Sequence, residues 1–486
     1  MSQLDPVQIA ALDFARDKPG VAWFAEQGLG KTLMALAEFD WYVRQGKADR
    51  MIVICPNTFK QGWADEIDKH AFQFDVHIFQ SVKKTDAATF INRRERLRPP
   101  VFIVNYEAAR MPNVLNALRL WAGCGKTYLA IDESIQIKGH KSEQTKAVHA
   151  LAHWSPYTVE PTACRYIRIL TGRPQTQGPH DLWGQLRAIG LFQGKNFYAF
   201  RGAFCVMGGF QQKEVICAQN VDVLNRIMAP VVFQAKKKDW LPDLPRKDST
   251  IRDYAMTGEQ KRQYDQMEEQ FLLDLESGKI VTVDVAIAKY AKLAQIQTGF
   301  IYDEDRIVHE LVPPERNPRL RILKQLLEEE VEGKVCVVYR HRPMLPFLAE
   351  ALKEMNPAWI KGQMKPEETS EQKARFNEDP ACRAILLQCD AAKYGHTLLG
   401  GPGPDDLCRT MIFFENSYSA DTRDQIEDRI HRRGQTGERV LYIDLSGSDL
   451  DRRIVKALQR KDQLYHSVFK NLKAAEPKKQ VDMVLL

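Results

Sequence analysis

The sequence of 486 residues predicts an α/β protein with two parallel-sheet lobes in tandem and helical insertions between them. Short apolar runs alternate with segments of helical periodicity in both halves of the chain, as in sheets that helices cover on their faces. Polar turns follow the apolar runs, at the strand ends where α/β proteins carry their sites. A proline-rich joint at residues 312–318 separates the two halves.

A glycine-rich turn at residues 25–32 lies between a strand-like run, residues 21–24, and a segment with apolar residues at helical spacing. Its backbone N–H groups and the positive end of the following helix would face the phosphates of a nucleotide. The lysine and threonine that close the turn suit the β/γ-phosphates and Mg²⁺, although Ala25 stands where the first glycine of this pattern is usual. The residues predicted to bind ATP in this turn are Gly28, Leu29, Gly30, Lys31 and Thr32.

A second apolar strand, residues 128–131, delivers Asp132 and Glu133 at its end. Asp132 suits coordination of Mg²⁺, and Glu133 suits polarisation of an attacking water. Paired acids after a strand are common in loops, but the lysine upstream strengthens this assignment. A similar string at residues 123–127 is followed at once by a strand and not by a helix, so we interpret it as a turn.

Gln8 precedes the glycine-rich turn, in a helical stretch that runs to about Arg16. Its amide offers both a donor and an acceptor to a nucleotide base. The sequence supports a base contact and an ordinary surface amide about equally, and both interpretations stay open at this point.

The second half contains further apolar strands, the last at residues 411–414. Gln425, Arg429 and Arg432 follow it, and on a helix their spacing would place them on one face. Two arginines so placed suit the neutralisation of charge on a transferring phosphate. A solvated basic helix face explains the same spacing, and it is the simpler interpretation of these residues taken alone.

Composition restricts the class of protein. The longest apolar runs have strand length, which is too short to cross a bilayer. The nine cysteines form no Cys-x-x-Cys pair, which argues against structural zinc and for a reducing, cytoplasm-like compartment. A net charge of +6 permits nucleic-acid binding without demonstrating it.

Taken in order, these motifs resemble superfamily-two helicase-like ATPases and, among them, the Swi/Snf-type DNA translocases. The resemblance runs from about Leu4 to Phe469. The Asp-Glu-Ser form of the acidic motif is similar to the annealing-helicase, fork-remodelling branch and to minimal phage and bacterial relatives. The most specific pieces of the resemblance are residues 28–32, 132–134, 170–174 and 425–435.

The resemblance implies two RecA-like lobes that close on one ATP, with Thr171 and Gly172 coupling hydrolysis to lobe closure. The catalytic residues that it implies are Lys31, Asp132, Glu133, Arg429 and Arg432, with the arginines acting as arginine fingers. Mg²⁺ would be held by Thr32 and Asp132. Nucleotide contacts beyond the glycine-rich turn are implied for Gln8, Gly395 and Gln425. DNA contacts are implied for Lys60, Asn105, Tyr106, Arg173, Arg340, His341, Lys393 and Thr397.

One departure from the family pattern falls at residues 391–393, where Ala-Ala-Lys replaces Ala-Gly-Gly and the lysine offers an added phosphate contact. The implied boundaries give a first lobe at residues 1–240, with a helical extension after about 190, and a helical bridge at 241–318. The second lobe would occupy residues 319–472, with a closing helix, and a flexible tail would follow at 473–486.

We expect an ATP-dependent translocase or remodeller that acts on double-stranded or branched DNA without sequence preference. The alternatives are a strand-separating DNA or RNA helicase and a nucleotide-binding DNA scaffold without turnover. The expected cofactors are ATP and Mg²⁺, and the expected partner is DNA, with neither membrane nor zinc. We expect a monomer that works with replication or recombination proteins, in the cytoplasm of a prokaryotic or virus-infected cell, and in the nucleus only if the source is eukaryotic.

Overall fold

The computed structural model describes residues 4–80, 97–152, 164–208, 214–276, 283–303, 305–391, 397–401, 403, 406–417, 419–449, 451–452 and 455–456. The described residues divide into two compact units, and the boundary falls between Pro242 and Asp243. Each unit is built on its own parallel sheet. The predicted fold class, two parallel-sheet α/β lobes in tandem, is confirmed.

The sheet of the first unit has seven parallel strands in the order β3-β4-β2-β5-β6-β1-β9. Its strands are β1 (Gly20–Ala25), β2 (Arg50–Cys55), β3 (Asp75–Ile78), β4 (Pro100–Asn105), β5 (Thr127–Asp132), β6 (Cys164–Thr171) and β9 (Val232–Ala235). All six residues of β1 are buried. Both faces of the sheet are therefore covered, which explains why the strands read as continuous apolar runs and not as alternating ones.

Helices cover the two faces of this sheet and form two separate cores. Ala22 and Phe24 of β1 belong to one core, and Val21 and Trp23 belong to the other, because successive side chains of a strand point to opposite faces. A two-stranded antiparallel hairpin, β7 (Cys205–Gly208) and β8 (Glu214–Ala218), follows the eighth helix. The helices are α1 (Pro6–Ala15), α2 (Lys31–Arg44), α3 (Lys60–Lys69), α4 (Tyr106–Ala109), α5 (Pro112–Gly123), α6 (Glu143–Ala152), α7 (Leu182–Ala188), α8 (Phe197–Phe204), α9 (Val221–Met228) and α10 (Lys237–Trp240).

The sheet of the second unit has six parallel strands in the order β10-β17-β16-β13-β15-β14. Its strands are β10 (Arg246–Asp253), β13 (Lys334–Tyr339), β14 (Ala358–Ile360), β15 (Ala384–Gln388), β16 (Cys408–Phe413) and β17 (Arg439–Ser446). A short antiparallel pair joins β11 (Phe300–Tyr302) and β12 (Val308–Glu310). The helices are α11 (Gly258–Glu276), α12 (Val283–Thr298), α13 (Pro318–Glu329), α14 (Met344–Ala351), α15 (Pro366–Glu378) and α16 (Ala420–Glu427).

The region interpreted as a helical bridge begins with a strand. β10 pairs with β17 over eight residues and forms the edge of the second sheet. Its side chains are exposed or half-buried and largely charged, so the apolar pattern that marks the other strands is missing. The helices expected in this bridge are present as α11 and α12. The predicted closing helix of the second lobe and the tail fall almost entirely outside the described residues, and the domain boundaries stay a prediction.

Candidate functional site

The glycine-rich turn and the acidic pair lie at the same edge of the first sheet. The turn follows β1, the acids end β5, and β6 lies between these two strands. Because all three strands are parallel, their carboxyl ends meet at one edge. The fold thus brings together two motifs that are about a hundred residues apart in sequence.

The turn has the backbone geometry that a phosphate loop needs. Gly28 and Gly30 have φ of +84° and +78°, values that favour glycine strongly over residues with a Cβ. Lys31 is the first residue of α2, its side chain is buried, and its Nζ donates to the carbonyl oxygen of Ala25 over 2.8 Å. The loop thus holds the ammonium group of Lys31 against its own backbone at the start of the helix.

Gln8 packs directly on the phosphate loop. Its Oε1 accepts a hydrogen bond from the backbone N–H of Asp5 over 2.8 Å, which closes the capping box of α1. A Cβ added to Gly30 would come within 2.2 Å of Nε2 of Gln8, so the amide group lies against the loop. Gln8 is only 4% exposed. The surface-amide interpretation is therefore wrong, and contact with an adenine base stays a prediction.

The acidic pair is held by hydrogen bonds from three directions. Oδ2 of Asp132 accepts from the indole N–H of Trp63, and Oδ1 accepts from the backbone N–H of Glu133, both over 2.9 Å. Glu133 has a left-handed backbone with φ of +50°. Its Oε1 accepts from Nε2 of Gln27 over 2.7 Å, so a phosphate-loop side chain contacts the second acid directly. The hydroxyl of Tyr106 donates to the carbonyl oxygen of Asp132 over 2.7 Å.

The electrostatics of the pair suit a cation. Burial, and then the charge of Glu133, raise the pKa of Asp132 to about 6. Two adjacent buried carboxylates repel each other, and their oxygens are the hard ligands that Mg²⁺ prefers. Thr32 is half-buried in the first turn of α2 and offers a hydroxyl oxygen at the same edge of the sheet. The donor set therefore fits Mg²⁺ held by Thr32 and Asp132, a role that stays a prediction.

The turn after β6 is tied to both motifs. A Cβ on Gly172 would lie 3.3 Å from the backbone nitrogen of Gln27, so the turn packs on the phosphate loop. Gln185 of α7 accepts from the hydroxyl of Ser134 over 2.8 Å and donates to the carbonyl oxygen of Pro174 over 2.6 Å. Gln27 lies within the predicted turn but was not predicted to contact the acids, and Trp63 and Gln185 were not predicted because only the folded topology brings them to the site.

The side chains predicted to contact DNA in the first unit already have partners inside it. Tyr106 is buried, and its hydroxyl bonds to the main chain beside the acids. Lys60 donates to the carbonyl oxygen of Phe79, and Asn105 donates to Glu107. Arg173 is only 6% exposed. DNA contact stays a prediction for all four predicted residues, and the burial of Tyr106 and Arg173 favours a structural role for their side chains.

The helix that was expected to carry both arginines of the second unit ends too early. α16 ends at Glu427, so Arg429 and Arg432 lie in the turns that follow it. Nε2 of Gln435 donates over 2.8 Å to the carbonyl oxygen of Ile430, which lies in these turns. The predicted common helix face is therefore wrong.

The three side chains of this segment are nevertheless well enclosed. Arg429 is 6% exposed and Gln425 is 8% exposed. Arg432 is half-buried, and burial lowers the pKa of its guanidinium while the charge of Asp428 opposes the shift. A solvated basic helix face does not describe these residues, and their roles as arginine fingers and nucleotide contact stay predictions.

The loop after β13 is fastened by Glu415, which sequence reasoning missed. Its Oε2 accepts from the backbone N–H groups of Arg340 and His341 over 2.8 and 2.9 Å, and its Oε1 pairs with the imidazole of His341. The carbonyl oxygen of Thr397 accepts from the amide of Asn377 over 2.9 Å. DNA contact by these loops stays a prediction, and Lys393 and Gly395 lie outside the described residues.

Two parallel-sheet lobes, a phosphate loop and a strand-end acidic pair define a nucleotide hydrolase of the helicase type. The profile of the SNF2-related domain matches residues 15–301, and that of the helicase conserved C-terminal domain matches residues 318–434. The first match alone covers more than half of the chain, so the chain belongs to the SNF2-related family. It binds ATP and is an ATP hydrolase of the SNF2/helicase class.

Curated relatives are distant and longer. SWI/SNF-related matrix-associated actin-dependent regulator of chromatin subfamily A-like protein 1 of Drosophila melanogaster is 23% identical over 96% of this chain and 56% of its own length. ATP-dependent DNA helicase DDM1 of Arabidopsis thaliana is 22% identical over 95% of this chain and 62% of its own length. TATA-binding protein-associated factor BTAF1 of the same plant is 23% identical over 86% of this chain. The chain spans only 22% of that last relative.

Solved structures with similar chains include the Sulfolobus solfataricus SWI2/SNF2 ATPase core in complex with dsDNA. It is 20% identical, with a TM-score of 0.41, over 98% of this chain and 94% of that one. The Sulfolobus solfataricus SWI2/SNF2 ATPase core domain is 21% identical with the same TM-score, over 97% of this chain and 90% of that one.

None of the helices in the described part of the chain combines the length and the apolar composition that crossing a bilayer requires.

Proposed function

We propose that the chain is an ATP-driven translocase, or remodeller, of double-stranded or branched DNA. ATP hydrolysis would open and close the two lobes and move their grip along the DNA backbone in short steps. Contacts with phosphates would make binding independent of sequence and sensitive to salt. Membership of the SNF2-related family supports this function, and the chain's own residues supply the parts that it needs.

The hydrogen bond from Gln27 to Glu133 carries the proposal, because it joins the phosphate loop to the acidic pair in a single site. Lys31 would bind the β/γ-phosphates, and Glu133 would orient the attacking water. Mg²⁺, held by Thr32 and Asp132, would supply neutralisation of phosphate charge. Burial of the pair excludes bulk water and strengthens each of these interactions.

The second unit would contribute positive charge and part of the DNA grip. Arg429 and Arg432 would act as arginine fingers, and Gln425 would contact the nucleotide. Arg340 and His341 lie at the carboxyl end of β13, on a loop that Glu415 fastens. A loop held in this way presents its backbone and side chains to a ligand at little entropic cost.

Two alternatives share the ATPase site. A strand-separating DNA or RNA helicase would use the same hydrolysis to part a duplex. A nucleotide-binding DNA scaffold would bind without turnover, and the intact set of Lys31, Asp132 and Glu133 argues against it. The Asp-Glu-Ser motif supports a place near the fork-remodelling branch, and membership of a phage or bacterial group, in DNA repair or recombination, is part of the proposal.

The test is the ATPase rate of the whole chain with no nucleic acid, single-stranded DNA, duplex DNA, forked DNA and RNA, alongside Glu133→Gln. We expect strong stimulation by duplex or forked DNA, and displacement of a third strand from a triplex without separation of the underlying duplex. Separation of the duplex would favour the helicase alternative. Stimulation by RNA alone would reject the substrate, and undiminished turnover in Glu133→Gln would reject the site.

A further inference from the structure

A cluster of aromatic and basic side chains lies on the first unit, outside the ATPase site. We call His140, Phe197, Tyr198 and Arg201 the aromatic–basic patch. The rings of His140 and Phe197 are stacked, with centroids 3.7 Å apart and planes 3° from parallel. The guanidinium carbon of Arg201 lies 5.4 Å from the centroid of the Tyr198 ring and 5.8 Å from that of Phe197.

The surroundings of the patch are positively charged. Burial lowers the pKa of His140, and the charges of Lys141 and Arg201 and the neighbouring His180 lower it further. The carboxylate of Asp181 accepts from the backbone and hydroxyl of Thr176 and from the backbone of Gln177, so its charge is already well solvated by hydrogen bonds. Electrostatic attraction therefore favours the approach of an anion to this surface.

The exposure of Tyr198 indicates which anion fits. Tyr198 is 54% exposed, although its neighbour Phe197 is buried. An exposed aromatic ring beside a guanidinium provides a face on which a base stacks, while the cations hold the phosphates. Bases of an intact duplex are stacked on one another and do not offer a free face. The geometry thus suits an unpaired strand better than a double helix.

A short path of one ring contact and two hydrogen bonds connects the patch to the acidic pair. His180 contacts the ring of Phe197 edge-on, with centroids 6.2 Å apart. The carbonyl oxygen of the next residue, Asp181, accepts from Nε2 of Gln185 over 2.9 Å. Gln185 accepts in turn from Ser134, the residue that follows Glu133. A ligand that displaces the side chains of this surface would therefore also change the position of the acidic motif.

We propose that the aromatic–basic patch binds an unpaired DNA strand, such as one arm of a fork, with a base stacked on Tyr198 and phosphates held by Lys141 and Arg201. The proposal rests on the proposed function, since it names the part of a branched substrate that the first lobe would recognise. It assigns a discriminating role to a surface that no ATPase motif includes.

The experiment compares the Kd of a fluorescent oligothymidine and of a fluorescent blunt duplex, by anisotropy, on the whole chain without nucleotide. Tyr198→Ala should weaken single-strand binding roughly 5- to 100-fold and leave duplex binding within about twofold. Tyr198→Phe keeps the stacking face and should bind like the parent protein. Leu120→Ala, at a residue 73% exposed on α5, is the matched control for loss of an exposed apolar side chain.

Charge is tested separately with Lys141→Ala, which should reduce the salt slope for single-strand binding by about 0.7. Lys126→Ala is its control, because Lys126 is exposed at the amino end of β5 and Lys141 follows the carboxyl end. Equal losses of affinity for single strand and duplex in Tyr198→Ala, or no loss for either, would overturn the assignment of the patch as a single-strand site. If DNA stimulates the ATPase while Tyr198→Ala binds normally, only this inference fails. If no DNA stimulates the parent protein, the proposed function fails first.

Discussion

The side-chain amide of Gln27 donates to Oε1 of Glu133 over 2.7 Å. Gln27 belongs to the phosphate loop and Glu133 directly follows β5, a strand two places away from β1 in the sheet, so the bond spans the site in which ATP would lie. Glu133 has a left-handed backbone, and the amide is the side-chain partner that fixes where its carboxylate points. The orientation of the proposed water-polarising group thus depends on the loop that we propose binds the phosphates.

Removing either partner of this bond should lower turnover to different degrees. Glu133→Gln removes the charge that is proposed to polarise water, and we expect kcat to fall roughly 100-fold or more with ATP affinity retained. Gln27→Ala keeps the Glu133 carboxylate but removes its hydrogen-bond partner, and we expect a smaller fall in kcat, of roughly tenfold. Steady-state ATPase assays and titration with a fluorescent ATP analogue measure both quantities. Gln45→Ala, at an exposed glutamine after α2, should change neither, and a larger effect of Gln27→Ala than of Glu133→Gln would contradict this reasoning.

Gly30 and Gly46 both have positive φ, so comparing them separates the cost of backbone strain from the cost of side-chain crowding. Gly30 has φ of +78° and Gly46 has φ of +63°, but a Cβ would meet Nε2 of Gln8 only at Gly30. Gly46→Ala should cost roughly 1 kcal/mol of stability, from the backbone alone. Gly30→Ala should cost more and raise the KM for ATP. Because the crowding comes from Gln8, adding Gln8→Ala to Gly30→Ala should recover part of the lost stability in urea unfolding, and a purely additive result would exclude the clash.

A buried ion pair joins α2, the helix that follows the phosphate loop, to β6. Nε and Nη2 of Arg168, on β6, donate to the two carboxylate oxygens of Glu38, on α2, over 2.7 Å each, and both side chains are almost fully buried. Arg168→Ala should destabilise the first unit by roughly 3–5 kcal/mol, because it leaves an uncompensated buried carboxylate. The double variant Arg168→Met, Glu38→Leu should lose less than the single one. Arg165→Ala, at an exposed residue of the same strand, is the control, and equal denaturation midpoints for it and Arg168→Ala would refute the expectation.

The parts of the site that the sequence predicted are those with a local cause. β1, the glycine turn and α2 are contiguous, and the positive φ at Gly28 and Gly30 follows from the residues themselves. The strand that ends in Asp132 is marked by its own apolar run. Parallel pairing then brings the two motifs to one edge without further information.

The parts that escaped prediction depend on distant neighbours. Trp63 donates to a carboxylate 69 residues away, and Gln185 bonds to Ser134 across 51 residues. β10 lacks an apolar pattern because it is an edge strand with polar side chains, and its pairing with β17 alone makes it a strand. The turns that follow α16 are held in a similar way, since the amide of Gln435 donates to the carbonyl oxygen of Cys408, 27 residues away.

The arginine-finger role calls for a paired comparison of neighbours. Arg432 is half-buried, whereas Arg433 is exposed beside it. If Arg432 stabilises charge on the transferring phosphate, Arg432→Ala should lower kcat by roughly 1,000-fold and leave ATP affinity within a few-fold. Arg433→Ala should retain kcat within about twofold under the same conditions. Equal ATPase rates for the two variants, with DNA present at saturation, would remove Arg432 from the catalytic set.

The bond between Glu415 and the loop after β13 predicts a pH dependence of stability. Burial alone would raise the pKa of Glu415, but the charge of His341 and the hydrogen bonds from its ring and backbone outweigh burial and lower the pKa to about 2. A carboxyl group with a lowered folded-state pKa stabilises the fold above its unfolded-state pKa, near 4.5, and this contribution is lost as pH falls toward 2. This difference between the folded-state and unfolded-state pKa corresponds to roughly 3 kcal/mol of folding stability at neutral pH.

Glu415→Gln isolates that contribution, because the amide oxygen can still accept from the backbone N–H groups of Arg340 and His341. We expect the variant to be less stable than the parent protein at pH 7 by roughly 2–3 kcal/mol in urea unfolding, with the difference shrinking at pH 4 and again at pH 3. Glu328→Gln, at an exposed glutamate of α13, should show no difference at any of these pH values. A stability difference between variant and parent that is as large at pH 3 as at pH 7 would mean that the shape of the side chain, and not its charge, fastens the loop. If charge fastens the loop, Glu415→Gln should also weaken DNA binding at pH 7 without changing the KM for ATP, because loss of the ion pair with the His341 ring would loosen the loop while the phosphate loop is untouched.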